Sequence, residues 1–349
     1  MSRGAERIGL CSIRIGACSD RFGYEIVHDG LIGVRRNRER PAAQLCLFSH
    51  RSSLQDSPPG RGSRYRQRCS VSGKVSSHRL HFHTKLVPDR SHLTSVDRDY
   101  VRRIVERSRQ RLRTERLDLV QFAWWDYDVP GYVETALWLE ELREQGLIAR
   151  IGVTNFDVPR LREILEAGVT VETNQIQYSV LDHRPENGMA GLCRDYGIAL
   201  LCYGTLAGGF LSDRYLGAPV PGAELANRSL TKYRLIIEEF GGWHAFQEVL
   251  ELLRDVGHGL DASVAQVALA YVLGRPGVES AIVGMSSPQR IEEAVFAMDL
   301  TLPSIQVDRI RRLVEAAPGP PGDCFGLERD KGGRHAGIMK YDLNVEAGT

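Results

Sequence analysis

The sequence predicts an α/β protein built on a (β/α)8 barrel, and three observations carry that expectation. From His81 onward, short β-branched runs alternate with amphipathic helical stretches, the rhythm of successive βα units. Six such runs in succession form a parallel set that must be covered on both faces or close on itself. No strand-to-helix junction carries the G-x-G-x-x-G spacing of an open dinucleotide-binding sheet. The glycine-rich Gly204-Thr205-Leu206-Ala207-Gly208-Gly209 has neither that spacing nor a Walker A loop's. The open doubly wound sheet is therefore the second choice.

The chain divides into three parts. Residues 1–80 are rich in Arg, Ser and Gly, with interruptions such as Ser57-Pro58-Pro59-Gly60, and only 8–15 and 24–34 read as strands. This part reads as a solvated extension of low order, or as a stretch in a different reading frame from the rest of the chain. In the second case the barrel would lack its first two strands and expose two sheet edges. Residues 81–318 hold the regular pattern. Strands are predicted over 81–87, 117–125, 149–155, 169–178, 198–206 and 280–285. Helices are predicted over 96–113, 132–145, 158–166, 185–196, 243–256, 262–273 and 288–296, where apolar residues recur three or four apart, as Val101, Ile104, Val105, Ser108 and Leu112 illustrate. Residues 218–235 read as a loop, and 319–349 as a C-terminal tail carrying Pro, Gly and charge.

Composition excludes several function classes. The 349 residues are 42% hydrophobic, enough for a large core, and 45 basic against 44 acidic side chains leave a formal charge of +1. That balance gives no electrostatic reason for nucleic-acid binding, and no run approaches the ~20 apolar residues of a membrane-spanning helix. The expectation is a cytoplasmic protein whose partner is a small molecule; the sequence carries no signal for oligomeric state. Seven scattered cysteines without a C-x-x-C pair predict reduced structural thiols and no metal site.

Several segments, taken in order, carry a resemblance. Asp118-Leu119-Val120-Gln121-Phe122 is followed by Trp124-Trp125; then come Gly152-Val153-Thr154-Asn155-Phe156, Asn174-Gln175-Ile176-Gln177-Tyr178-Ser179 and Tyr203-Gly204-Thr205-Leu206. With Gly284-Met285-Ser286-Ser287-Pro288-Gln289-Arg290 near the end, this set resembles the aldo-keto reductase family over about 250 residues. The tail from Gly322-Asp323 to Tyr341 is similar to that of a bacterial-type branch. The resemblance implies a barrel that binds NADPH across the C-terminal ends of its strands and transfers hydride to a small aldehyde or ketone. It places Lys85 as the catalytic lysine. The cofactor residues it implies are Thr154, Asn155 and Gln175 on the carboxamide, Tyr203 under the nicotinamide ring, Leu206 and Gly208 in the adjoining loop, and Gly284, Ser286 and Arg290 at the adenosine phosphate. A guanidinium and free N–H groups at a helix start suit a 2′-phosphate, which favours NADPH over NADH.

The chain departs from the family at the other catalytic positions. Ala123 stands where the family has histidine, and a methyl group neither titrates nor donates a hydrogen bond. No D-x-x-x-x-Y element lies at the right distance before Lys85: Asp20 and Tyr24 are too far, Tyr65 too near. His81 and His83 share the face of Lys85 by strand alternation and read as structural. The sequence thus leaves two functional expectations, a reductase working with Lys85 alone, or a catalytically impaired NADPH-binding sensor or accessory protein.

Overall fold

The computed structural model describes residues 11–14, 23–26, 30–35, 44–49, 81–222, 224–284 and 288–342. Ten strands lie within them: β1 (Cys11–Arg14), β2 (Gly23–Ile26), β3 (Gly30–Arg35), β4 (Gln44–Ser49), β5 (His81–Leu86), β6 (Leu119–Phe122), β7 (Ile151–Thr154), β8 (Val171–Gln177), β9 (Ala199–Tyr203) and β10 (Val278–Gly284). β1 and β2 pair with each other, and β3 through β10 close into a ring in chain order, with β10 returning to β3. The barrel predicted from the βα rhythm is thus present.

The ring differs from an all-parallel barrel at one strand. Strands β4 through β10 run parallel, whereas β3 is antiparallel to both β4 and β10. The expectation of two open edges is corrected here, because β3 and β4 pair with the flanking strands. Antiparallel neighbours need only a short connection, while a parallel pair needs a crossover of a dozen residues or more. The few residues between Arg35 and Gln44 permit the first and not the second.

Ten α-helices accompany the strands: α1 (Arg98–Leu112), α2 (Tyr132–Glu144), α3 (Val158–Glu166), α4 (Met189–Asp195), α5 (Arg228–Phe240), α6 (Gly242–His258), α7 (Val264–Leu273), α8 (Pro288–Asp299), α9 (Ser304–Ala316) and the single-turn α10 (Gly326–Arg329), counted among the described residues. On α1 the buried residues are Val101, Ile104, Val105, Ser108 and Leu112, the stripe its sequence spells. Capping fixes the helix starts: Asp97, Asp157 and Asn227 accept from the backbone N–H three residues on, and Ser263 with Gln266 forms a capping box. The reading of 218–235 as a loop is corrected by α5, which buries Tyr233, Ile236, Ile237 and Phe240 at helical spacing. Helix α9 is a further helix beyond those the sequence predicts.

Strand alternation divides the side chains between two cores. Leu86, Val120, Phe122, Val153, Ile176, Leu200 and Cys202 face the helices in the main core. Leu119, Leu201 and Ile282 meet inside the ring, with Tyr203 packed against them. Register carries the interior face around the barrel: Lys85 opposes Gln121, Gln121 opposes Gly152, Thr154 opposes Gln175, and Gln177 opposes Tyr203. The interior is therefore polar toward the C-terminal ends of the strands, the end where barrel sites form. The tail binds this same end. The Tyr341 carbonyl accepts from the Arg90 N–H at 3.2 Å, the Asp342 carboxylate accepts from the Ser91 N–H at 2.9 Å, and the Arg329 side chain donates to the Trp124 carbonyl at 3.0 Å.

Candidate active site

Lys85 projects into the barrel from β5. Removal of water from its ammonium brings its pKa down from 10.5 to about 8. Its register partner Gln121 is fully buried, and neither polar atom of that side-chain amide has a hydrogen-bond partner among the described residues. Gly152 on the far side of Gln121 has room for nothing larger: an added Cβ would lie 2.2 Å from the Thr173 hydroxyl oxygen. Ala123 extends the ladder past β6, its N–H bonding the Leu86 carbonyl at 3.1 Å. Since Phe122 and Trp124 lie in the helix-facing core, Ala123 between them points inward.

The expected cofactor residues gather at the next three strand ends. Thr154 and Gln175 are buried register partners, and the Thr154 hydroxyl and the Gln175 side-chain oxygen have no hydrogen-bond partner among the described residues. The Asn155 N–H bonds the Gln175 backbone carbonyl at 2.9 Å, and Asn155 itself is left-handed at φ 60°. That conformation, which Asn tolerates better than most residues, turns its side chain so that its oxygen accepts from the Tyr203 hydroxyl at 2.9 Å. Leu206, half-buried, and Gly208, exposed, lie in the turn after β9. Gly208 has φ 66°, and a Cβ there would meet the Tyr233 ring at 2.7 Å. Gly284 ends β10 exposed, and Arg290 is exposed on the first turn of α8. Ser286 lies outside the described residues, as do Asp20 and Tyr65, whereas Tyr24 sits on β2, which is not a strand of the ring.

A charged cluster lies beneath Tyr203, and no local sequence pattern points to it. Arg184 is buried between two carboxylates, donating to Asp182 at 2.8 and 2.9 Å and to Glu328 of α10 at 2.9 Å. Gln177 adds a 2.6 Å bond to Asp182. The Lys232 ammonium lies 3.5 Å from Glu328 and 5.0 Å from the centre of the Tyr203 ring, with Tyr233 and Phe325 also close. Burial lowers the Lys232 pKa while Glu328 opposes that shift. Burial would raise the Glu328 carboxyl, yet Lys232 and Arg184 hold it at about 2. The charges of Asp182, Arg184 and Glu328 were visible in the sequence, but they are brought together across 144 residues that no local pattern connects.

The donor set fits a nicotinamide cofactor. A carboxamide presents one NH₂ group and one carbonyl, and the unpartnered Gln175 oxygen and Thr154 hydroxyl supply the matching acceptor and donor. Among the described residues no cluster of three or more His, Cys, Asp or Glu could hold a metal ion, and no helix is long and apolar enough to cross a membrane. Cys193, Cys202 and Cys324 are buried free thiols whose pKa values burial raises.

A barrel with a lysine and a polar strand-end ring inside its C-terminal mouth defines a class, and comparison with known proteins specifies it. The model of the aldo/keto reductase family matches residues 64–315. The chain belongs to that family of oxidoreductases, whose substrates are small carbonyl compounds. It is 28% identical over 234 residues to the NADH-specific methylglyoxal reductase of Escherichia coli, spanning 66% of this chain and 69% of that protein. It is also 28% identical over 260 residues to protein tas of Escherichia coli, spanning 68% and 72%. Among solved structures, the glycerol dehydrogenase of Gluconobacter oxydans matches in fold with a TM-score of 0.62 at 17% identity, over 83% of this chain and 97% of that one. An aldo/keto reductase of Klebsiella pneumoniae, in complex with NADP and acetate, matches with a TM-score of 0.54 at 21% identity, over 75% and 77%.

Proposed function

We propose that this chain reduces a small aldehyde or ketone with NADPH, using Lys85 as the group that faces the reacting oxygen. The observation that carries the reading is the Lys85 amine inside the barrel, with a pKa brought to about 8, beside a ring of unsatisfied amide and hydroxyl groups. Thr154 and Gln175 would hold the carboxamide, Asn155 would fix the tilt of Tyr203 under the nicotinamide, and Leu206 and Gly208 would line the path of the pyrophosphate. Gly284, Ser286 and Arg290 would bound the adenosine end, where the exposed Arg290 guanidinium suits a 2′-phosphate. The bound cofactor supplies the hydride. The Lys85 ammonium polarises the carbonyl oxygen and, with a pKa near the working pH, delivers the proton that completes the alcohol. Ala123 offers no imidazole to share that role, so turnover is slower than a complete set of acids would give, by a factor of about 10²–10⁴.

The second reading is an NADPH-binding sensor or accessory protein, favoured by Ala123 and by the lack of a D-x-x-x-x-Y element at the family's distance before Lys85. Loss of the reduced cofactor's near-ultraviolet absorbance on adding small aldehydes separates the two. Slow, Lys85-dependent oxidation supports the reductase; cofactor binding without oxidation supports the sensor.

A further inference from the structure

We infer that Lys85 is also a nucleophile: its amine captures small aldehydes as an imine without any cofactor, and the neighbouring Gln121 amide holds the oxygen that leaves. The inference rests on the reductase reading only for the admission of a small aldehyde to the barrel interior; the covalent step is a second activity of the same amine.

Lys85 stands on the interior face of β5, with Gln121 opposite it in register on β6. It is half-buried, so solvent reaches part of the side chain. Among the described residues no carboxylate pairs with its ammonium, and burial alone shifts its pKa. An ammonium held by a carboxylate keeps its proton and is no nucleophile, whereas an unpaired, desolvated one gives the proton up. With a pKa of about 8, roughly one Lys85 in ten carries the free amine at pH 7, against roughly one in three thousand at the ordinary 10.5.

The chain has five lysines, and Lys85 is set apart from the others. The Lys232 ammonium lies 3.5 Å from Glu328, and that of Lys331 lies 2.7 Å from Asp128 and 3.1 Å from Asp126. Lys340 is exposed in the tail, and Lys74 lies outside the described residues.

The Lys85 lone pair forms a C–N bond to the aldehyde carbon while the C=O π pair moves onto oxygen, and that oxygen takes up the proton that nitrogen loses. The product is a carbinolamine. Both polar atoms of the buried Gln121 amide are without a hydrogen-bond partner among the described residues, so its N–H is free to donate to the new hydroxyl. The C–O bond then breaks, the oxygen leaves as water with one proton from solvent, and an iminium remains on Lys85. No electrons are gained or lost overall, so neither NADPH nor an oxidant enters the balance.

The full chain is incubated at pH 7 with propanal and sodium cyanoborohydride, which fixes the C=N bond as a stable secondary amine, in the absence of NADPH. Peptide mass mapping then reads propyl incorporation at each lysine. Lys85 should be labelled at least about tenfold faster than Lys340, and the preference should vanish when the chain is unfolded in urea. Gln121→Leu should slow labelling of Lys85 about tenfold while leaving Lys340 unchanged, the latter serving as an internal standard if the variant folds less well. Labelling of Lys85 no faster than that of Lys340, or as fast in Gln121→Leu as in wild type, overturns the inference. A Lys85 adduct without oxidation of NADPH by propanal keeps the capture and removes the reductase reading. Oxidation of NADPH without a Lys85 adduct does the reverse.

Discussion

The Tyr203 hydroxyl donates to the Asn155 side-chain oxygen at 2.9 Å, tying the aromatic ring at the end of β9 to a left-handed residue at the end of β7. The two substitutions that break this bond should differ in effect. Tyr203→Phe keeps the ring and costs about 0.5–1.5 kcal/mol of stability, with NADPH affinity changed by less than about threefold. Asn155→Ala also forces an alanine into φ 60°, adding about 1–2 kcal/mol and freeing the ring, so that NADPH binding weakens about tenfold. Fluorescence titration beside thermal unfolding reads both; equal affinities in the two variants would remove the positioning role of Asn155.

The Glu328 carboxylate anchors the tail through Arg184 and Lys232. Glu328→Ala leaves Arg184 and Lys232 underpaired in a buried site and should lower stability by about 3–5 kcal/mol. The pH dependence has a definite sign. A carboxyl held at about 2 in the folded chain, against 4.5 in the unfolded one, contributes stability that is complete above 4.5 and is lost as pH falls toward 2. Urea melts from pH 6 to pH 3 should therefore show a steeper acid loss for wild type than for Glu328→Ala, as the linkage slope requires. Parallel acid profiles would contradict the ionised pairing.

How much of the fold and the site was legible in the sequence depended on distance along the chain. The parallel strands from β5 onward and the α1 stripe come from local periodicity, and Thr154, Gln175 and Tyr203 lie on strands that the same periodicity predicts. Helix α5 was equally local: Tyr233, Ile236, Ile237 and Phe240 have helical spacing, but the prolines and glycines before Asn227 coloured the whole segment as a loop. The Arg184–Glu328 pair and the antiparallel β3 depend on what the closed ring brings together, and no local pattern encodes either. The motif that contains Gln121 does not show its burial without a hydrogen-bond partner among the described residues, which is a property of the folded interior.

Lys85 should show the signature of a group kept for function against stability. Its folded pKa of about 8 lies below the unfolded 10.5, so the native state binds its proton less tightly. The resulting penalty is full below pH 8 and is relieved as pH rises from about 8 toward 10.5. Lys85→Met should accordingly gain about 1–3 kcal/mol at neutral pH while losing carbonyl reduction. In wild type, the rate of reduction should fall above an apparent pKa near 8 as the ammonium deprotonates. A rate independent of pH through that range would deny Lys85 the proton.

Ala123→His introduces an imidazole at the inward position past β6. For a simple aldehyde, kcat/KM should rise by about 10–100-fold, because the new donor reaches the oxygen that Lys85 faces. Steady-state kinetics with propanal tests this. An unchanged rate, with folding and NADPH affinity intact, would favour the sensor.

Whether the closed ring keeps a working NADPH site is tested most directly by thermal unfolding of the full chain with and without NADPH. At ~100 times its dissociation constant, a ligand specific to the folded state adds about 2.7 kcal/mol. A working site predicts one cooperative transition that rises by several degrees with NADPH and rises less with NADH at the same concentration. A transition unmoved by either cofactor, or no cooperative transition at all, would contradict it.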